Sequence, residues 1–302
     1  FRPGVANRMG IGEKDIRAVS PNIIYVSICG FGESGPLAAK PVYDPLIQAL
    51  SGLTTVQAGS DDARPRLVRT ILPDKLTGTI SAQAITAALL ARTRTGKGQH
   101  VKISMLDVIM AFLWGSDMGS QTLIDEPVQQ QHVASFVDLI YETADGYISV
   151  AVQSNREWEA LVRAFNKPKW LKDPRFKTPA LRQQNIDERL NLTQEILKTR
   201  PTKEWLSILE AEDVPSAPVL TRSEAIFHPQ VIANDVILES KHPRAGRIRQ
   251  ALPAAKFSLT HLDFRLAAPT LGEHTTLVLR EAGLTQEQIA FIKEKNEDSE
   301  ND

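Results

Sequence analysis

A continuous apolar run near the start of the chain constrains its fold more than any other feature of the sequence. Residues 22–29 (NIIYVSIC) are rich in β-branched side chains and lead into a glycine-rich loop at 30–36. Runs of this kind are typical of strands in a parallel sheet that helices cover on both faces. Helical periodicity follows at 75–94, and a strand at 100–104 precedes a second apolar helix at 105–113. This order of strand, helix, strand and helix predicts an α/β layer with a parallel sheet.

The second half of the sequence has a different pattern, in which short strands and amphipathic helices are mixed. Segments 136–142 and 147–152 flank Asp145-Gly146, a dipeptide that favours a β-hairpin. A capping box at 154–157 predicts the start of a helix, and a further helical pattern covers 183–198. These features indicate an α+β arrangement in this part of the chain.

Composition excludes several classes of function. The 35 Lys and Arg residues balance 36 Asp and Glu residues, which argues against a general nucleic-acid binder. Cys29 is the single cysteine, so neither an internal disulfide nor a zinc site with several cysteines is expected. A lone thiol inside an apolar strand is expected to be structural and fits a reducing, cytoplasmic location. No apolar run approaches the roughly 20 residues that a membrane helix needs, so no membrane partner is expected.

Motifs of common cofactor and metal sites are incomplete in this sequence. Gly30, Gly32 and Gly35 have the spacing of the dinucleotide fingerprint, but Pro36 and Pro41 follow where that fingerprint needs a helix. The glycines are therefore expected to shape a tight loop rather than a nicotinamide site. The six histidines include no pair four residues apart, so no metal site is expected.

Asp74 is the strongest candidate for chemistry. It lies between a strand-like segment at 66–72 and the helix predicted from Lys75. Open α/β sheets bind ligands beyond the carboxyl ends of their strands, and a helix N-terminus favours an ionised carboxylate. Gly78, one turn further along, leaves room for a ligand. The alternative interpretation is that Asp74 only caps the helix.

Residues around Asp74 have two interpretations as well. Arg64, Arg66, Arg69 and Lys75 would form a rim that attracts anions, or the solvated face of a strand. Tyr43, which follows the glycine-rich loop beside a carboxylate, would orient a substrate or serve as a half-buried aromatic residue.

The ordered set of motifs resembles family III CoA-transferases, the CaiB/BaiF family, over essentially the whole chain. Each motif is short, and the specificity lies in their order. The matching motifs are Phe1-Arg2-Pro3-Gly4, Gly30-Phe31-Gly32-x-x-Gly35-Pro36, Tyr43-Asp44, Asp74-x-x-x-Gly78, Thr95-Gly96-Lys97-Gly98-Gln99, Val214-Pro215, Ala217-Pro218-Val219, His228-Pro229-Gln230-Val231 and Ala268-Pro269-Thr270-Leu271-Gly272-Glu273-His274.

The resemblance implies a domain organisation. A discontinuous, Rossmann-like large α/β domain with a parallel sheet would hold a smaller inserted α+β domain. The large domain is expected at 1–114, a linker at 115–135, the small domain at 136–260, and a return linker with the C-terminal helices of the large domain at 261–302. Interlocked homodimers are also implied. Because family chains begin well before the motif at Phe1, the chain is expected to be truncated at its N-terminus.

The resemblance also implies a reaction and its residues. Asp74 matches the nucleophile of covalent CoA transfer between an acyl-CoA and a carboxylic acid. No tightly bound cofactor is implied, because coenzyme A enters as substrate. Tyr43 matches a substrate-binding position. The positions that match CoA contacts are Phe1, Arg8, Met9 and Lys40.

Two alternatives remain open at this point. The related α-methylacyl-CoA racemases share the aspartate but need a histidine at the position of Tyr43, and an ordinary tyrosine is a poor general base near neutral pH. The other alternative is a truncated chain that binds CoA without catalysis.

Overall fold

The computed structural model describes residues 1–125, 139–260, 266 and 268–299. The rest of the predicted linkers, at 126–135, 261–265 and 267, lies outside these residues, as do 136–138 of the predicted hairpin. Helices occupy α1 Val5–Arg8, α2 Glu13–Val19, α3 Asp44–Leu50, α4 Leu53–Ala58, α5 Leu72–Thr95, α6 Met105–Trp114, α7 Asn155–Ala164, α8 Pro179–Gln184, α9 Ile186–Leu197, α10 Thr202–Ala211, α11 Arg222–Ala225, α12 Pro229–Ala233, α13 Thr275–Glu281 and α14 Gln286–Ser299. Strands occupy β1 Tyr25–Cys29, β2 His100–Ser104, β3 Ile140–Glu142, β4 Tyr147–Val150, β5 Ser216–Pro218, β6 Ile237–His242 and β7 Gly246–Ala251.

The predicted parallel sheet is confirmed. β1 pairs with β2 in parallel register from Tyr25 opposite His100 to Cys29 opposite Ser104, and α5 forms the crossover. The turn into β2 needs Gly98, because a Cβ there would overlap the carbonyl oxygen of Ile23. Within the described residues this sheet has two strands, and β1 is half-buried rather than covered on both faces as expected. The α/β fold class is confirmed.

A small apolar core fixes the helices around this sheet. Ile47 of α3, Leu53 of α4, and Ile109 and Leu113 of α6 are buried against one another. Burying each of these side chains contributes about 1.5–3 kcal/mol. Since α3 and α6 also pack on α5, this core anchors the helix that carries Asp74.

The strand predicted at 66–72 is wrong. Residues 64–71 are irregular, and α5 already begins at Leu72. The side-chain amide of Gln48 replaces a partner strand, because Val68 N–H donates to its Oε1 at 2.9 Å. Pro73 lies in the first turn of α5, where its fixed φ suits a helix start and its missing N–H costs nothing.

The chain forms two compact units, Phe1–Leu139 with Lys169–Glu195, and Ile140–Pro168 with Ile196–Asp302. The second unit contains the antiparallel sheet β3-β4-β5 and the hairpin β6-β7. The predicted turn at Asp145-Gly146 and the capping box at Ser154 are confirmed. The helix predicted at 183–198 is confirmed as α9, Ile186–Leu197. It begins three residues later than expected, because α8 ends where the Asn185 side chain donates to Leu181 O at 2.9 Å.

Candidate active site

Asp74 is the third residue of α5 and lies on the surface. Its neighbours leave the helix N-terminus open: the N-cap Ile71 offers no side-chain cap, and Pro73 has no N–H. Within the described part of the chain, neither the Asp74 carboxylate nor its backbone N–H has a hydrogen-bond or ion-pair partner. The interpretation of Asp74 as a helix cap is therefore wrong. An exposed carboxylate at this position is free to meet a ligand.

Gly78 keeps the helix face beside Asp74 open. Residues four apart lie on the same face of a helix, so Gly78 stands one turn below Asp74. A Cβ added at Gly78 would meet no atom of the described chain within 4 Å. The expectation that Gly78 leaves room beside Asp74 agrees with this geometry.

The loop before α5 is basic. Arg64, Arg66 and Arg69 are exposed, and none forms an ion pair with the residues that the structure describes. Lys75 donates from Nζ to Thr70 Oγ1 at 2.9 Å. Because this segment is an irregular loop, the interpretation as a strand face is wrong. The arrangement suits a surface that attracts anions.

Tyr43 begins α3 as its N-cap residue and is 78% exposed, so the half-buried interpretation is wrong. Asp44, the next residue, is buried, and its Oδ1 accepts from Gln48 Nε2 at 2.6 Å. Sequence reasoning missed Gln48. The sequence did contain a signal for it, because Gln48 is a polar residue at a core-facing position of a short apolar helix.

The glycine-rich loop approaches Tyr43 from β1. A Cβ at Gly30 would overlap Val42, so the loop packs directly on the residue before Tyr43. Gly32 and Gly35 have φ of 109° and 92°, the left-handed region that favours glycine. No helix starts until Asp44. The glycines therefore shape a loop, as expected, and do not form a dinucleotide fingerprint.

The positions that match CoA contacts lie at the surface of the first unit. Phe1 and Met9 are 77% and 57% exposed. Arg8 ends α1 and, like Lys40, is exposed. The structure brings the N-terminal segment to the turn before Lys40, because Arg2 Nη1 donates to Ala39 O at 3.3 Å.

An apolar groove of about 400 Å³ lies between α5 and α6, beside the end of β2. The sequence did not reveal it, because its two walls are far apart in the chain. The groove is lined by Leu76, Ile80, Lys102, Ile103, Ser104, Asp107, Val108, Ala111 and Phe112.

Comparison with known proteins gives the family. The model of CoA-transferase family III matches residues 1–275. The chain belongs to CoA-transferase family III. It is 30% identical over 287 residues to the human succinyl-CoA:glutarate CoA-transferase, covering 93% of this chain and 64% of that protein. It is also 30% identical over 322 residues to the formyl-CoA:oxalate CoA-transferase of Shigella boydii, covering 98% of this chain and 76% of that protein.

A solved structure supports the same relationship. A CaiB/BaiF family protein from Brucella suis superposes with a TM-score of 0.77 at 26% identity, covering 93% of this chain and 73% of that one. Its match to the human succinyl-CoA:glutarate CoA-transferase, in contrast, spans slightly less than two thirds of that protein's length. The family uses CoA thioesters as substrates.

Cys29 and the search for metal and membrane features complete the description of this family III member. Burial raises the pKa of the Cys29 thiol, whose Sγ contacts Ile103 O at 3.8 Å, so the thiol is held in its unreactive form. In the described ranges, no three His, Cys, Asp or Glu side chains are grouped to hold a metal ion. Nor is any helix there both long and apolar enough to cross a membrane.

Proposed function

We propose that this chain moves CoA from an acyl-CoA donor to a free carboxylic acid through a covalent intermediate on Asp74. The observation that carries the proposal is the exposed Asp74 carboxylate, without a partner among the described residues, at the N-terminus of α5 in a family III chain. The partial positive charge of a helix N-terminus attracts negative charge, and a carboxylate can act as a nucleophile in covalent catalysis.

The reaction proceeds in four balanced steps. An Asp74 oxygen attacks the thioester carbonyl of the donor, the C–S bond breaks, and a mixed anhydride and the CoA thiolate form. The thiolate attacks the aspartyl carbonyl and releases the donor acid, leaving an Asp74–CoA thioester. The acceptor carboxylate attacks that thioester, the C–S bond breaks, and a second anhydride and the CoA thiolate form. The thiolate then attacks the acceptor acyl group and regenerates Asp74.

The other residues support binding and charge stabilisation. The free N–H of Asp74 is a candidate donor to an oxyanion that develops beside it. Phe1, Arg8, Met9 and Lys40 would hold CoA, and a guanidinium at Arg8 suits a phosphate group. Tyr43 would contact the acyl or acceptor group. The basic loop at Arg64, Arg66 and Arg69 would attract the anionic substrates.

Two relatives suggest which acids to test. The human and Shigella boydii proteins are named for glutarate and oxalate as acceptors. We therefore propose a small carboxylic acid as acceptor, with succinyl-CoA and formyl-CoA as first donors.

The test compares two aspartates in the same helical position. Asp107 is exposed in the first turn of α6, as Asp74 is in α5, so Asp107→Asn is a matched control for Asp74→Asn. We expect Asp74→Asn to abolish transfer, because an amide is a poor nucleophile, while Asp107→Asn retains it. Transfer retained by Asp74→Asn would contradict the proposal. CoA binding without transfer by the unmodified chain would favour the non-catalytic alternative, and deuterium wash-in at the α-carbon would favour racemisation.

The interlocked homodimer, the cytoplasmic location and the discontinuous large domain remain part of the proposal. The resemblance to the family supports them. Light scattering of the purified chain should give the mass of a dimer, and a monomer that transfers CoA would contradict the interlocked assembly.

A further inference from the structure

Gln48 is a buried polar residue with an unusually complete set of contacts. Its side chain, 1% exposed, accepts from Val68 N–H at 2.9 Å through Oε1. Its Nε2 faces Asp44 Oδ1 at 2.6 Å, and the carbonyl oxygens of Val68 and Thr70 at 3.3 and 3.4 Å. One side chain thus connects α3 to the irregular loop that leads into α5.

Asp44 fixes the orientation of this amide. A carboxylate oxygen accepts hydrogen bonds, so the amide must turn its Nε2, and not its Oε1, toward Asp44. The Oε1 is then aimed at Val68 N–H. Among the described residues, Asp44 Oδ2 has no hydrogen-bond partner, which leaves Gln48 as the donor that holds this buried carboxylate.

The loop depends on these bonds because it belongs to no sheet. Residues 64–71 form no strand. Besides Gln48, the loop is held by Arg66 N–H to Thr54 O at 3.0 Å, by Lys75 Nζ to Thr70 Oγ1 at 2.9 Å and by the packing of Val68 on the core. Thr70, which Gln48 contacts, accepts from Leu72 N–H at 2.8 Å, the first residue of α5. Asp74 follows two residues later. The path from Gln48 to the first turn of α5 is therefore short, and it runs through Val68 and through the longer contact with Thr70 O.

We propose that Gln48 is a positioning residue that fixes where the Asp74 carboxylate meets the thioester. The inference rests on the proposed function of Asp74. Ile47, the neighbour of Gln48, is buried in the core of the first unit, so α3 offers a rigid base for the bond. Tyr43 and Asp44 begin the same helix, so the Gln48 amide ties both ends of the candidate site together.

The test is Gln48→Leu, which keeps the volume and removes the amide. Gln57→Leu is the control, because Gln57 is an exposed glutamine on the neighbouring α4. Since a misplacement of about 1 Å costs about 100-fold in rate, we expect kcat to fall about 100-fold in Gln48→Leu with KM for acyl-CoA unchanged. Gln57→Leu should match the unmodified chain.

Trapping of the activated Asp74 carboxyl by hydroxylamine, with succinyl-CoA as donor, separates an effect of Gln48→Leu on the position of Asp74 from an effect on folding. The final yield of trapped chain counts competent sites, and the rate constant of trapping reports how Asp74 is placed. We expect an unchanged yield and a slower rate. An unchanged rate, or a lower yield that accounts for all the lost activity, would overturn the inference.

A second variant covers the case in which Gln48→Leu does not fold. Asp44→Ala with Gln48→Leu removes the buried carboxylate along with its donor, which is better tolerated than leaving one partner alone. The same slow trapping is expected, and trapping at the unmodified rate would overturn the inference. Transfer retained by Asp74→Asn would refute the proposed function instead, so the two failures are distinguishable.

Discussion

Gly78→Ala should make the protein more stable and less active. Gly78 lies inside α5, on the exposed surface, and an added Cβ meets no described atom within 4 Å. The substitution therefore adds no clash. Replacing an exposed glycine in a helix interior by alanine gains about 0.5–1 kcal/mol of unfolding free energy. For a protein of this size that gain raises Tm by about 1–4 °C.

The expected loss of activity has the same cause, the methyl group that Gly78→Ala adds. The new methyl group stands one turn from Asp74 on the same helix face, where we place the approach of the thioester. Displacing the thioester by about 1 Å there lowers kcat/KM by about 100-fold. Thermal unfolding and initial-rate transfer assays measure the two effects on the same preparation.

Thr79→Ala is the matched control. It also raises helix propensity, because it removes a β-branched side chain, but residue 79 is turned about 100° around the helix from Gly78. We expect a stabilised control with normal transfer. A stabilised Gly78→Ala protein with normal kcat/KM would refute the proposal that the thioester approaches Asp74 past residue 78. A destabilised protein would refute the absence of a steric clash at that position.

Three further predictions concern the surroundings of the site. Gly98→Ala should lower the urea midpoint strongly, because its Cβ would overlap the carbonyl oxygen of Ile23, and backbone cannot rotate away; an unchanged midpoint would contradict this turn. Replacing Arg64, Arg66 and Arg69 together by Gln should raise KM for acyl-CoA and weaken its salt dependence, because long-range attraction to the anion is lost; an unchanged KM would remove the basic loop from the site. The backbone N–H of Thr270 lowers the pKa of Glu273 from its ordinary value of 4.5, so this cap stabilises the segment before α13 above that pH and is lost as pH falls through the depressed value. Glu273→Gln should therefore lower amide protection there at pH 7 but not in strong acid.

Local patterns were sufficient for the sheet and the long helix. The β-branched run at 22–29, the helical repeat through 75–94 and the alternation at 100–104 each correspond to an observed element. The prediction of a strand at 66–72 was wrong because no partner strand pairs with this segment among the described residues; Val68 N–H donates instead to the side chain of Gln48, 20 residues away. The residues of the segment alone could not predict that hydrogen bond, because its acceptor lies outside the segment.

The site was predictable in part. Its place at the predicted start of a helix made Asp74 a candidate, and the resemblance implied the roles of Asp74 and Tyr43; these roles stay predictions. The contacts on which the proposed role of Gln48 rests form only when α3 and the loop before α5 are brought together. The apolar groove between α5 and α6 was not predictable for the same reason.

The most direct test of the account is the covalent state of Asp74. The chain would be incubated with succinyl-CoA and hydroxylamine, digested, and mapped by mass spectrometry. We expect an aspartyl hydroxamate on Asp74 that requires the thioester and is absent from the Asp74→Asn variant. CoA transfer without any hydroxamate, or a hydroxamate on another carboxylate, would contradict Asp74 as the nucleophile.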